Sequence, residues 1–415
     1  MTVRVRMAPS PTGFLHIGGV RTFLFNWLYA RQQGGRNLLR IENTDTSREV
    51  AEAFDQIKDS LSWLGIEWDE EPTFQLDRIG DCRRVAEQLV SDGRAYEDEG
   101  AIRFRMPDEG VTAWDDVVRG RVEVPNETIE DLVLVRSDGR PTYNFASPME
   151  DVWDRITHVI RGDDHISNTP KQINIIRAVG GDLPVYAHVP NIFGADGKKL
   201  SKRHGAVGVD EFRDAGYLPE AMVNFLALLG WAPDGETTIM SRDELVRRFS
   251  LERVSSSPAQ FDYAKLDWMN GVYLRALSTD AFADRLVIWL GEHGYEWDAE
   301  LVRRAAPLVQ EKIARLGEFP GFAGFLFEDV DVSVDGDAEV VRAARDALAD
   351  LEPFTAESIE AALRGVVDRL GLKPRQGFQP IRVAVTGSTV SPGLFESIEL
   401  LGRETTLSRL ASAAR

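Results

Sequence analysis

The sequence predicts an α/β fold: a parallel-sheet domain, interrupted by a small β insertion, followed by a mainly helical second half. Three observations carry this. The chain opens strand, helix, strand, helix; strand-like segments resume after an acidic, Pro-bounded stretch; and beyond about residue 205 the apolar spacing becomes helical. With 415 residues and roughly 150 residues per domain, two to four domains are expected.

Val3, Val5 and Met7 alternate with Arg4 and Arg6, which predicts a first strand ended by Pro9, Pro11 and Gly13. Val20, Phe23, Trp27 and Ala30 then fall at helical spacing over 16–33, with Gly34-Gly35 as the stop. Residues 37–42 form a second apolar strand. Thr46-x-x-Glu49 has the form of a capping box and opens a helix that reaches Leu64. A βαβα beginning implies parallel pairing. Residues 77–89 read as a helix around Cys82, a buried small residue rather than a nucleophile. Ile102, Phe104 and Met106 alternate within the inserted stretch. Segments 132–135, 157–160 and 185–192 are expected to return to the main sheet, with a helix near 168–179. In the second half Val341, Ala344, Leu348 and Leu351, and Ile359, Leu363, Val366 and Leu370, mark amphipathic helices. Ser255–Ser257 and Asp329–Asp337 read as loops.

The balance of 43% hydrophobic and 28% charged residues is that of a globular protein, and a net charge of −19 argues against non-specific coating of nucleic acid. One cysteine and six histidines leave little material for a disulfide or a structural zinc site. No apolar run suits a signal peptide or membrane span, so a cytoplasmic enzyme is expected.

Two motifs carry chemistry. A-P-S-P-T-G-F-L-H-I-G-G (8–19) lies between the first strand and first helix, where free N–H groups, the helix dipole, Gly18, Gly19 and His16 suit a nucleotide phosphate. K-K-L-S-K-R (198–203) places four basic residues in six positions, fitting an arm that neutralises polyphosphate. Arg6, Glu42 and Arg161 fall near the C-terminal ends of strands, where open parallel sheets bind ligands.

H-I-G-G with K-L-S-K-R resembles the signatures of class I aminoacyl-tRNA synthetases. The words L-L-R-I-E-N-T-D-T-S-R, P-T-Y-N-F-A, H-V-I-R-G-D-D-H and A-V-T-G-S-T-V-S-P-G-L-F-E are similar to the glutamyl-tRNA synthetases over nearly the whole chain. The resemblance implies a Rossmann-like catalytic domain in two halves (1–95 and 143–205), split by a short acceptor-end-binding insertion (96–142), then a stem-contact region (206–300) and a helical anticodon-binding region (301–415). It implies that His16, Gly18, Gly19, Lys199, Ser201 and Lys202 meet ATP, with His16, Lys199 and Lys202 catalytic. Arg6, Ala8, Ser10, Glu42, Tyr143 and Arg161 would line the pocket for L-glutamate. The reaction implied is ATP- and Mg²⁺-dependent formation of glutamyl-adenylate and its transfer to tRNA(Glu), with tRNA(Gln) an open alternative, by a monomer. No zinc is expected, because 97–142 holds neither Cys nor His. Arg303, Arg304, Lys312, Arg315, Arg364, Arg369, Lys373 and Arg375 resemble the anticodon-binding surface. A glutaminyl enzyme, a truncated base-glutamylating relative, a non-catalytic tRNA-binding paralogue and a small-molecule adenylyltransferase are the competing readings.

Overall fold

The computed structural model describes residues 2–11, 15–44, 52–205, 207–330 and 338–414; the Lys202 side chain also lies outside the described residues. The chain forms two compact units, one of residues 1–213 and 219–266, the other of 214–218 and 267–415.

The first unit is built on strands β1 (Arg4–Met7) and β2 (Arg36–Ile41), joined by helix α1 (Ile17–Gln32). β1 pairs parallel with β2, Arg4 opposite Arg36 and Met7 opposite Leu39, and β2 pairs parallel with β3 (Thr73–Phe74). α1 packs against β1, β2 and β9 (His158–Gly162) and against helices Pro219–Ala227 and Arg242–Arg248, so it is buried along most of its length. Gly34 and Gly35 end it as predicted. A Cβ on Gly35 would lie 2.4 Å from the Val3 carbonyl oxygen, so only glycine lets β2 start that close to β1.

Helix α2 (Ala53–Leu64) and helix α3 (Ile79–Ser91) follow; the capping box expected at Thr46 and Glu49 lies outside the described residues. The insertion comprises β4 (Ala95–Asp98), β5 (Ala101–Phe104), β6 (Val111–Asp116), β7 (Gly120–Pro125) and β8 (Leu132–Val135). β8 departs from expectation. It does not return to the parallel sheet but pairs antiparallel with β5, completing the small sheet β4-β5-β8. Its L-V-L-V run satisfies either sheet. What decides is the core it shares with Cys82, Leu89, Phe104 and Phe145, the last from helix α4 (Tyr143–Trp153).

β9 leads through helix α5 (Thr169–Ala178) to β10 (Val185–Val189), its parallel neighbour, and β10 pairs at Tyr186 with Asp116 of β6. The β6–β7 hairpin of the insertion therefore extends the main sheet. β1 runs beside β9, where the Thr157 N–H donates to the Arg4 carbonyl (2.9 Å) and the Arg4 N–H to Thr157 Oγ1 (2.9 Å). From β1 the chain winds outward through β2 and from β9 through β10, so their C-terminal ends flank a topological switch point, where such sheets open a crevice.

The second unit is helical. Helices Ala338–Leu348, Ala356–Arg369, Pro374–Thr386, Leu394–Leu401 and Arg403–Ala413 enclose a core that includes Val341, Ala344, Leu348, Ile359 and Leu363, the positions marked by helical spacing in the sequence. Residues 331–337 of the expected acidic loop lie outside the described residues. Among the described residues no helix is long and apolar enough to cross a membrane.

Candidate active site

The crevice between β1 and β9 is a cavity of about 390 Å³. Arg6, Ala8, His16, Gly18, Gly19, Glu42, Tyr143, Arg161 and Lys199 border it, as do Arg21, His165 and Asn191, which sequence reasoning missed. Ser10, which is exposed, and Ser201, whose N–H donates to His204 Nδ1 (3.1 Å), are not among the bordering residues. The chain thus brings together residues as far apart in sequence as Arg6 and Lys199, for a physical reason in each case.

His16 is the N-cap of α1, with extended backbone, and its Nδ1 accepts the N–H of Gly18 at 3.1 Å. Loss of hydration and the charge of Lys199 lower its pKa below the usual imidazole range, against a hydrogen bond to the Leu200 backbone, so the ring is neutral and carries its proton on Nε2, beside the helix N-terminus. The segment that follows the second motif is tied to the first by backbone bonds: Ile17 N–H donates to the Val207 carbonyl (2.9 Å) and Val209 N–H to that of Leu15 (3.2 Å). Lys199 is 63% exposed, with Nζ 3.7 Å from Asp164, and is available to an incoming anion.

Arg6 and Arg161 differ in how their charge is met. Arg6 Nε donates to Asp151 Oδ1 at 3.0 Å, both groups buried. Arg161, 5% exposed, donates to neutral acceptors: His188 Nε2 (3.1 Å), Gln172 Oε1 (2.8 Å) and Thr169 Oγ1 (2.8 Å). A buried guanidinium with neutral partners is a strong site for a carboxylate. Glu42 follows β2 directly, its N–H fixed on the Pro9 carbonyl (2.9 Å). Burial raises its pKa, opposed by Arg40 and Arg6; Arg40 lies 3.7 Å away. Tyr143 Oη lies 3.0 Å from His165 Nδ1, and desolvation and Arg161 push His165 down to about 4, so its ring is neutral. The cavity therefore brings cationic forks, a carboxylate and neutral hydrogen-bonding rings together with a helix N-terminus and a lysine. That set fits a zwitterion with an extra carboxylate at one end and a phosphate at the other.

Beneath this floor Arg40 is fully buried among Asp151 (2.8 Å), Glu150 (3.2 Å) and Glu42. Its signal was available: Arg40 is on β2 and Glu42 lies two residues further on, just past the strand's end, the spacing that puts side chains on one face of an extended chain. Arg21 gave no such signal; it donates from the second turn of α1 to the backbone carbonyls of Leu229 (2.9 Å) and Pro190. Cys82 is 1% exposed, and burial pushes its thiol up to about 12. Of the arginines expected at an anticodon surface, Arg303 pairs with Asp284 (2.5 Å), Arg315 with Glu318 (3.0 Å) and Arg364 with Glu360 (2.6 Å).

The catalytic-domain family described as tRNA synthetases class I (E and Q) matches residues 2–101 and 97–268, and an anticodon binding domain matches 281–414. The chain is 40% identical over 470 aligned positions to glutamate–tRNA ligase 1 of Caldanaerobacter subterraneus subsp. tengcongensis, covering 100% of this chain and 98% of that protein. It is 42% identical to the glutamate–tRNA ligase of Thermodesulfovibrio yellowstonii, covering 98% of each. Among solved structures it is similar to a glutamate tRNA ligase from Elizabethkingia meningosepticum in complex with its amino acid, with a TM-score of 0.86, 30% identity and coverage of 100% and 99%.

Proposed function

The chain belongs to the class I tRNA synthetases of the glutamate and glutamine branch, and from that premise we infer that it is a glutamate–tRNA ligase whose chemistry takes place in the β1–β9 crevice. An oxygen of the glutamate α-carboxylate attacks the α-phosphorus of ATP, and pyrophosphate leaves. The terminal ribose hydroxyl of tRNA(Glu) then attacks the acyl carbon, loses its proton, and releases AMP.

The observation that carries this reading is the convergence on one cavity of amino-acid-type and phosphate-type groups, namely Arg6, Glu42, Tyr143 and Arg161 with His16, Gly18, Gly19 and Lys199. In the proposal Arg161 takes a carboxylate of glutamate and Glu42 its ammonium. Arg6 contributes field beside Glu42, although Asp151 shares its charge. His16 Nε2–H and the first turn of α1 meet the phosphates, and Lys199 stabilises the charge that develops as pyrophosphate departs. Lys202, the neighbouring lysine of the motif, is assigned to the same task, and Ser201 to ATP contact. Catalysis is then positioning plus charge stabilisation, with no covalent enzyme intermediate. Mg²⁺ accompanies ATP, held chiefly by its phosphates. Glutamine is rejected because its amide leaves a buried arginine donor facing another donor, a mismatch worth roughly 10⁴-fold. The proposal extends to a monomeric cytoplasmic enzyme.

Transfer of labelled glutamate to tRNA(Glu) and tRNA(Gln) transcripts, with and without ATP, tests the function. ATP-dependent charging of tRNA(Glu) is the expected result, and charging of both transcripts identifies tRNA(Gln) as a second substrate. Failure to charge either transcript overturns the assignment.

A further inference from the structure

Arg161 of β9 and His188 of β10 are cross-strand register partners, and behind His188 stands Asp116 of β6. His188 Nδ1 is 2.5 Å from Asp116 Oδ2, and both side chains are fully buried. The Asp116 carboxylate is saturated with donors: the N–H groups of His188 (3.1 Å), Val118 (3.1 Å) and Arg119 (3.0 Å) reach Oδ1, and Trp114 Nε1 lies 3.4 Å from Oδ2. A carboxylate so surrounded is ionised, and it fixes the His188 proton on Nδ1. Nε2 is left with a lone pair, which accepts the N–H of Arg161 Nε at 3.1 Å and has the Thr169 hydroxyl beside it at 3.0 Å. Burial lowers the His188 pKa, in keeping with a neutral ring. The opposite tautomer would turn a bare Nδ1 lone pair onto the Asp116 carboxylate at 2.5 Å and an N–H toward Arg161 Nε.

Three of the five guanidinium N–H groups are thereby bound, to His188, Gln172 and Thr169. One N–H on each Nη remains for a ligand, the arrangement a carboxylate fork requires. Tyr186 completes the seat, since its ring stacks against His188 (6.0 Å between centroids) and lies beneath the Arg161 guanidinium (5.6 Å).

We propose that Asp116 and His188 are positioning residues for glutamate recognition: Asp116 sets the His188 tautomer, and His188 Nε2 holds the Arg161 fork in the orientation that receives the substrate carboxylate. The proposal rests on the assignment of Arg161 to a glutamate carboxylate. It also gives the insertion a part in amino-acid recognition, because Asp116 lies on an inserted strand and makes no direct contact with the cavity.

The first test is nitrogen-15 NMR of histidine-labelled full-length protein at pH 7, with His188→Gln used for assignment. The expected spectrum has His188 protonated at Nδ1 and bare at Nε2, with the Nε2 resonance moving when glutamate is added; a ring protonated at Nε2 overturns the proposal. The second test is kinetic. His188→Asn keeps a donor toward Asp116 and removes the acceptor toward Arg161, and should raise KM for glutamate about tenfold while KM for ATP and kcat stay within about twofold. His188→Gln places Oε1 near the position of Nε2 and should restore most of the loss. Equal KM values for wild type, His188→Asn and His188→Gln overturn the proposal, as does a fall in kcat with a rise in KM for ATP, which marks a merely structural role. If His188→Asn does not fold, the tautomer measured in the wild type decides. Arg161→Gln, run alongside, separates the two levels. No rise in its KM for glutamate sinks the assignment of Arg161 itself; a rise there with none in His188→Asn sinks only the positioning pair.

Discussion

Arg40 and Asp151 form a buried pair at 2.8 Å, and the same Asp151 oxygen accepts Arg6 Nε at 3.0 Å. One carboxylate thus anchors the floor of the pocket, through Arg40, and one of its walls, through Arg6. Burial would raise the Asp151 pKa, but Arg6 and Arg40 hold it below the usual carboxylate range. The stability it contributes is therefore present above the ordinary carboxyl pKa and is lost as pH falls through the depressed one.

Asp151→Asn should destabilise the protein by roughly 3–5 kcal/mol at pH 7, because it leaves two buried guanidinium groups without their shared anion. Chemical denaturation checks this, and a loss below about 1 kcal/mol contradicts it.

Glu150 behaves in the opposite sense. Burial raises its pKa to about 7, although Arg40 and Gln75 pull it down, and its Oε1 has no hydrogen-bond partner. The folded chain holds that proton to higher pH than the unfolded chain, so this group's contribution falls as pH rises from about 4.5 through about 7. Glu150→Gln should abolish that decline, leaving the variant more stable than wild type at pH 8 and no more stable at pH 5. Thermal unfolding at the two pH values measures it.

His16→Ala should lower kcat for charging about 100-fold, the loss of a preorganised donor to developing charge, with little change in KM for glutamate. Because the ring works neutral, accepting from Gly18 and donating from Nε2, the acid limb of the wild-type rate profile should have its midpoint below the ordinary imidazole pKa of 6.5. A midpoint above 6.5 contradicts the assignment.

Cys82 should resist alkylation in the native protein at pH 8 and react once the chain is unfolded, since its thiol is buried and remains protonated up to about pH 12. Loss of charging activity at the pace of native-state alkylation would show that it is accessible.

Local signals made much of this legible. Alternation at Val3, Val5 and Met7, helical spacing from Val20 to Ala30, and the placing of Arg6, Glu42 and Arg161 at strand ends depend on periods of two and 3.6 that any window reveals. The β8 pairing was not legible, because an L-V-L-V strand carries no record of which neighbour it will meet. Asp151, 111 residues from Arg40, and Asp116, 72 residues from His188, became partners only through the winding of the sheet. A buried charge announces itself in sequence only when its partner shares its face nearby, as Glu42 does for Arg40.

The claim that one crevice holds both glutamate and the ATP phosphates is tested most directly by a crystal structure with a non-hydrolysable glutamyl-adenylate analogue. The expected result is a carboxylate on the Arg161 fork, the ammonium on Glu42 and the phosphate at His16, Gly18 and the first turn of α1. An analogue bound outside the β1–β9 crevice, or turned so that its phosphate meets Arg161, would contradict it.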